Sequence, residues 1–195
     1  MNRLTSIARY EQTIRHSRFI GVCGPITSET EAREFIARHG EKSCSHVCHA
    51  WRLGERVHTD DAGEPGGTAG RPILAAIDHF QLDGAIVVVS RHFGGVKLGT
   101  GGLVRAYGGT AMQTLSLASI EAIVERRRIR LNVPFQAARD VHLLAERHDA
   151  IKLDEQWTDQ ALSLMLALPV DRVDDFVAQF NRLTRGAGQF IEVKE

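Results

Sequence analysis

Apolar and polar positions along residues 4–118 alternate between spacing typical of strands and spacing typical of helices. Extended runs are predicted at residues 4–17, 19–26, 45–53 and 85–90. The last run, AIVVVS, is apolar and β-branched almost throughout, which indicates a strand buried on both faces. Helices are predicted at residues 28–38, 72–80 and 103–118, where apolar residues recur every third or fourth position. Ser28 and Glu31 form a capping box, and Pro72 occupies a position that a first helical turn accepts.

A regular order of elements follows residue 128. It consists of a strand at 128–135, a helical apolar face at 141–148, extended runs at 150–159 and 161–169, a second helical face at 173–183 and a strand at 188–193. The order βαββαβ is that of the ferredoxin-like fold, which hosts many functions and identifies none. The charged segment 121–128 is the candidate linker, and the alternative interpretation is a solvated helix end. We therefore predict an α+β protein with domains at 1–125 and 126–195.

Glycine is concentrated between residues 60 and 109, which hold 12 of the 18 glycines. The segment RHFGGVKLGTGG, residues 91–102, connects the buried strand to the helix predicted from Leu103. A glycine-rich connection that opens a helix leaves backbone N–H groups at the positive end of the helix dipole, where an anion is stabilised. No acidic residue occurs between Asp83 and Glu121. We predict an anion- or nucleic-acid-binding site that consists of Arg71, Arg91, Lys97, Gly99, Thr100, Gly101, Gly102 and Arg105.

Two common nucleotide motifs do not fit this loop. A P-loop needs Ser or Thr after its lysine, whereas Leu98 follows Lys97, and the dinucleotide fingerprint would need glycine where Val104 stands. An alternative interpretation is that the glycines allow tight packing of the loop and helix on the sheet. Phe93 beside these cations is a small version of a single-stranded RNA surface, but Tyr107 is expected in the core. The phosphate backbone is therefore the preferred ligand over the bases.

Candidate catalytic and metal-binding residues lie nearby. Asp60, Asp61 and Glu64 are the candidates for magnesium-dependent chemistry on a phosphate, and the alternative is that they form turns. Cys44, His46 and Cys48 would lie in one row on a strand, and such a row does not converge on a tetrahedral zinc ion. We therefore expect no metal site and no cofactor.

Composition and charge narrow the function only slightly. Lys/Arg and Asp/Glu number 24 each, so the net charge predicts no polyanion partner, but residues 1–128 carry 16 basic and 13 acidic residues, which places any nucleic-acid surface there. No apolar stretch of about 18 residues occurs, and the N-terminus lacks the apolar block of a signal peptide. The three cysteines are too few, and odd in number, for a disulfide framework. We expect a cytoplasmic protein that has no membrane partner.

Four segments resemble the signature of the IMPACT family, including its bacterial YigZ-like members. They are His16–Ile20, Cys48–Trp51, Gly63–Pro72 and Arg91–Tyr107. The two longer segments are specific, and the similarity extends over nearly the whole chain. The resemblance implies an N-terminal ribosomal protein S5 domain 2-like domain and a C-terminal ferredoxin-like domain similar to domain V of elongation factor G. For bacterial members it implies association with RNA or the ribosome.

Three functions remain open at this point. The preferred one is a non-catalytic RNA- or ribosome-associated protein that influences translation and binds phosphate backbone through the glycine-rich loop. The second is a magnesium-dependent phosphate-handling hydrolase or phosphorolytic enzyme. The third is a protein–protein interaction module in translational regulation, because the resemblance implies that eukaryotic relatives act by competing for a protein partner.

Overall fold

The computed structural model describes residues 1–158 and 161–193. The chain divides into two compact units, Met1–Ile123 and Val124–Glu195. No helix within the described ranges is long and apolar enough to cross a membrane. Asp159, the last residue of the run predicted at 150–159, lies outside the described residues.

The first unit is a five-stranded sheet with three helices. Its sheet strands are β2 (Ala8–Ile14), β3 (Ser17–Pro25), β4 (His46–Leu53), β5 (Arg56–Asp60) and β6 (Ala85–His92). All pairings are antiparallel, in the order β2-β3-β6-β4-β5. The helices are α1 (Glu29–His39), α2 (Gly70–His79) and α3 (Thr100–Ser116). Two short strands, β1 (Asn2–Leu4) and β7 (Ile120–Ala122), pair with each other separately. The mixed α and β character expected from the sequence is confirmed.

The central sheet of this unit is covered on both faces. One face packs against α2 and α3 around Phe19, Ile77 and Tyr107. The opposite face packs against α1 around Val22 and Phe35. β6 is buried at every position except its last, as its unbroken apolar run predicts. The last two buried residues of this strand, Ser90 and Arg91, are polar.

Three local features differ from the sequence-based expectation. The turn between β2 and β3 lies at Arg15 and His16, whose φ angles are 45° and 67°, so the predicted break at residue 18 between the extended runs 4–17 and 19–26 is wrong. The register pairs Ile14 with Ser17, so a two-residue hairpin turn is formed. β5 has no counterpart in the prediction. α3 begins three residues before Leu103, at Thr100, so two glycines of the predicted loop form its first turn.

The second unit is a four-stranded antiparallel sheet with two helices. In chain order its elements are β8 (Arg126–Pro134), α4 (Ala138–Arg147), β9 (Ile151–Trp157), β10 (Ala161–Pro169), α5 (Val173–Leu183) and β11 (Gln189–Glu192). The sheet order is β11-β8-β10-β9, and the element order is the expected βαββαβ. Alternate residues of β8 and β10, such as Leu131 and Leu164, pack with Val141, Phe176 and Phe180 of the helices.

Candidate functional site

The N-terminus of α3 presents free backbone donors. Gly99, the residue before the helix, has φ 74° and ψ 165°, a conformation that is essentially restricted to glycine. The first hydrogen bond of the helix runs from Leu103 N to Gly99 O at 2.9 Å. The amides of Thr100, Gly101 and Gly102 donate to no acceptor among the described residues, and Thr100 and Gly101 are exposed. This end of α3 therefore has the open N–H groups that an anion site needs.

Three exposed cationic side chains, those of Arg15, Lys97 and Arg105, lie around this helix end. Lys97 and Arg105 form no ion pair within the described residues, and both are exposed. A small cleft beside the first turns of α3 is lined by Arg105, Gly102 and Leu98 together with Ile14 and Arg15 of the β2–β3 hairpin. Sequence reasoning did not select Arg15, because only the pairing of β2 with β3 brings this turn to α3.

A second cleft is also lined by residues of the loop before α3. Its volume is about 340 Å³, and it is lined by Glu64, Pro65, Arg91, Phe93, Lys97, Leu98, Gly99, Thr100 and Leu103. Apolar side chains form much of its wall, while Lys97 and the N-terminus of α3 supply positive charge. The predicted residues Arg91, Lys97, Gly99 and Thr100 are therefore brought together.

The loop between β6 and α3 is fixed to the β2–β3 hairpin. Ser17 Oγ accepts hydrogen bonds from Gly94 N and from Arg91 Nη2, both at 3.2 Å. A Cβ atom on Gly94 would lie 2.0 Å from His16 O, so this glycine is required for close packing. A Cβ on Gly99 would meet nothing within 4 Å. The packing interpretation thus explains Gly94, whereas Gly99 is explained by its positive φ.

Arg91 is a buried partner of Glu64. It is 4% exposed, and its Nη1 donates to Glu64 Oε1 at 2.7 Å. Its guanidinium carbon lies 5.5 Å from the centre of the Phe19 ring and 5.3 Å from that of Phe93. Nε of Arg91 is buried and donates to no acceptor in the described chain. The charge of Arg91 is therefore neutralised inside the protein, unlike that of Lys97.

Glu64 joins three parts of the first unit. Besides Arg91, its Oε1 accepts a hydrogen bond from Tyr107 Oη of α3 at 2.7 Å, and His46 Nε2 lies 3.9 Å away. Tyr107 is fully buried, as expected, and burial raises the pKa of its hydroxyl, to which the Glu64 and Cys48 side chains add. Glu64 therefore links the loop before α2 to both β6 and α3.

Asp61 caps α2 from a distant loop position. Its Oδ1 accepts from Ala69 N at 2.9 Å and from Gly70 N at 2.8 Å, and its Oδ2 accepts from Gly67 N at 2.7 Å. Burial raises the pKa of this carboxyl, but the three amide donors and nearby Arg71 lower it by more, so the net pKa is depressed. Asp61 thus caps the N-terminus of α2 in place of Ala69, the residue before the helix, whose side chain has no hydrogen-bond acceptor.

The other candidate ligands do not form a metal centre. Asp60 Oδ1 accepts from Ala62 N at 2.7 Å in a turn, and Cys48 Sγ donates to Asp61 O at 3.1 Å. No group of three or more His, Cys, Asp or Glu side chains within residues 1–158 and 161–193 is arranged to hold a metal ion. Arg71 lies near Gly67 at the start of α2 and lines neither cleft at α3.

Comparison with known proteins identifies relatives along most of the chain. A family model described as the Impact N-terminal domain matches residues 15–115. A Thermus thermophilus protein, "IMPACT family member in pol 5'region", is 41% identical over 157 residues, which are 80% of this chain and 86% of that protein. The Escherichia coli protein "IMPACT family member YigZ" is 30% identical over 94% of this chain and 93% of its own length. A crystal structure of a hypothetical protein, 28% identical, covers 100% of this chain and 97% of its own, with a TM-score of 0.62.

Proposed function

The chain belongs to the IMPACT family, and from this premise we propose that it is a non-catalytic RNA- or ribosome-associated protein that influences translation. Phosphate groups of the RNA backbone bind at the N-terminus of α3. The supporting observation is the set of three unpaired amides, at Thr100, Gly101 and Gly102, flanked by cations that have no carboxylate partner among the described residues. Phosphate at a helix N-terminus is stabilised both by N–H donors and by the helix dipole.

The cations divide into two kinds in this proposal. Lys97, Arg105 and Arg15 are exposed and contact phosphate directly, because a phosphate group can reach them without displacing a protein carboxylate. Arg91 keeps its pairing with Glu64 and instead holds the loop in place. Arg71, at the start of α2, provides a more distant positive charge.

The non-catalytic assignment is supported by the hydrogen bonds and the ion pair that the candidate acidic side chains already form. Asp61 bonds to three amides, Asp60 caps a turn, and Glu64 is paired with Arg91 and Tyr107. A hydrolytic or phosphorolytic site would need at least one of these carboxylates as a metal ligand or a base. Asp61, whose two oxygens are both engaged, would first have to break its contacts with the backbone amides before α2.

We further propose specific folds for the two parts of this cytoplasmic protein. Residues 1–125 take the ribosomal protein S5 domain 2-like fold. Residues 126–195 take the ferredoxin-like fold and are similar to domain V of elongation factor G. The βαββαβ order and the sheet order β11-β8-β10-β9 support the second assignment. Both folds agree with a role in translation.

The test is the salt dependence of RNA binding. If phosphate contacts dominate, the affinity of the full chain for RNA falls steeply with salt, and Lys97→Ala and Arg105→Ala each reduce the slope of log affinity against log salt by about one. Lys42→Ala is the matched control, since Lys42 is exposed and follows α1 on the opposite face of the sheet. Binding that is independent of salt contradicts the proposal. Retrieval of ribosomal components that persists after ribonuclease treatment indicates a protein partner instead.

A further inference from the structure

The cleft beside Gly99 has features that a phosphate does not use. Pro65, Phe93, Leu98 and Leu103 line it, whereas phosphate needs only donors and positive charge. Its volume of about 340 Å³ lies at the lower end of the range found for small-molecule sites. A flat organic group attached to a phosphate would use both the apolar wall and the charged mouth.

Phe93 offers a stacking surface that is held in place. The side chain is 48% exposed, while the Arg91 guanidinium lies against its ring at 5.3 Å. Its backbone N–H donates to Ser45 Oγ at 3.2 Å, which fixes the residue at the end of β6. Unstacked bases of single-stranded RNA pack on such aromatic rings, and a cation behind the ring adds to the attraction.

Two polar side chains that line the cleft, those of Arg91 and Glu64, each have one atom without a hydrogen-bond partner among the described residues. Nε of Arg91 is buried without an acceptor although the residue is only 4% exposed. All hydrogen bonds to Glu64 go to Oε1, and Oε2 accepts none from the described residues. Glu64, which lines the cleft, therefore keeps one free carboxylate acceptor. Adenine, cytosine and guanine carry an exocyclic amino donor next to a ring nitrogen acceptor, whereas uracil has no amino group.

We propose that this cleft receives one amino-bearing nucleobase of a single RNA strand, stacked on Phe93, with its amino group donating to Glu64 Oε2. The inference rests on the proposed function, because the phosphate next to this base lies on the amides of α3 and beside Lys97. It adds a requirement for an unstacked base, so the ligand is a single strand rather than a duplex. The bases thus contribute to binding, in contrast to the sequence-based preference for the backbone alone.

The test measures binding of the full chain to three labelled oligonucleotides of equal length by fluorescence anisotropy. They are a cytidine strand, a uridine strand and an abasic strand with the same phosphates. We expect the cytidine strand to bind most tightly and the abasic strand to bind on the order of tenfold more weakly. Phe93→Ala should reduce the affinity for the cytidine strand by a similar factor. The affinity for the abasic strand and the slope of log affinity against log salt should not change.

Phe135→Ala is the matched control, because Phe135 is an aromatic residue of similar exposure, 42%, in the second unit. It should leave all three affinities unchanged. Equal affinity for the cytidine and abasic strands, with a steep salt dependence, overturns the nucleobase proposal and leaves phosphate binding intact. Equal affinity for the cytidine and uridine strands overturns the assignment of an amino-bearing base. Absence of binding to all three strands overturns the proposed function as well.

Discussion

Arg91, the last buried residue of β6, donates from Nη1 to Glu64 Oε1 at 2.7 Å, and the two side chains are 5% and 4% exposed. The pair joins the sheet to the loop before α2, and Tyr107 connects the same carboxylate to α3. A buried ion pair is not by itself strong evidence of net stabilisation, but removal of one member leaves an uncompensated charge in the interior. The geometry of the whole loop region therefore depends on both residues being present.

Arg91→Met should destabilise the first unit strongly. Glu64 would remain buried without its cation, at a cost of about 3–5 kcal/mol in the free energy of unfolding. Urea denaturation of the variant and the wild type measures the difference. The control is Arg18→Met, which removes a pair with Glu11 whose side chains are 46% and 43% exposed and should change stability little. A loss as small as that of the control would show that Glu64 is already compensated by other groups.

Asp61→Asn should make the stability of the chain less dependent on acid. The pKa of Asp61 is depressed in the folded state, so its stabilisation is fully present above the unfolded value of about 3.9 and is lost as pH falls through the folded value. Near neutral pH the variant should be less stable by about 1–3 kcal/mol, because the amide group can replace only one of the two carboxylate oxygens and leaves Gly67 N without its acceptor. This difference should shrink as pH falls below about 4 in urea unfolding experiments.

The matching control for this experiment is Asp60→Asn. Its amide carbonyl can keep the single hydrogen bond from Ala62 N, so the loss of stability should be smaller than at Asp61. A difference between Asp61→Asn and wild type that does not change between neutral and acidic pH would contradict the depressed pKa of the native carboxyl.

The elements that follow from local periodicity could be predicted, and the contacts between them could not. β6, α3 and the βαββαβ order were predicted because apolar spacing is a local property of the sequence. Asp61 caps a helix that begins nine residues later, at Gly70, which no local capping rule selects. Glu64 and Arg91 are 27 positions apart, and only the long-range packing of the loop on β6 brings them together. For the same reason the sequence assigned Arg91 to the anion site, whereas its guanidinium is paired inside the protein.

Thiol reactivity should separate the three cysteines in the native protein. Burial raises the pKa of Cys23 to about 11 and that of Cys48 to about 12. Cys44 is only partly buried. Because the thiolate is the reactive form, an alkylating agent at about pH 8 should modify Cys44 first and the other two only after denaturation. Mass spectrometry of the modified peptides measures the order of labelling. Rapid labelling of Cys48 in the native protein would contradict its buried position, in which Sγ donates a hydrogen bond to Asp61 O.

Gly99→Ala tests whether the backbone before α3 creates the anion site. Its φ of 74° and ψ of 165° lie in a region that side-chain-bearing residues avoid, so the substitution should cost about 1–3 kcal/mol or force the backbone to rearrange. We expect the backbone to relieve this strain by rearranging, so that the amides of Thr100 and Gly101 lose their arrangement and RNA affinity falls although no charge is removed. Lys97→Ala, by contrast, removes a phosphate contact, so it should weaken binding and also reduce the slope of log affinity against log salt.

Gly109→Ala is the control for this last prediction. It lies in the same helix, and an added Cβ would meet nothing within 4 Å. Alanine in a helix interior is favoured over glycine by about 1 kcal/mol, so this variant should be more stable and should bind RNA as the wild type does. If Gly99→Ala and Gly109→Ala bind RNA equally well, the amides before and within the first turn of α3 are not the phosphate donors, because only the first substitution displaces them.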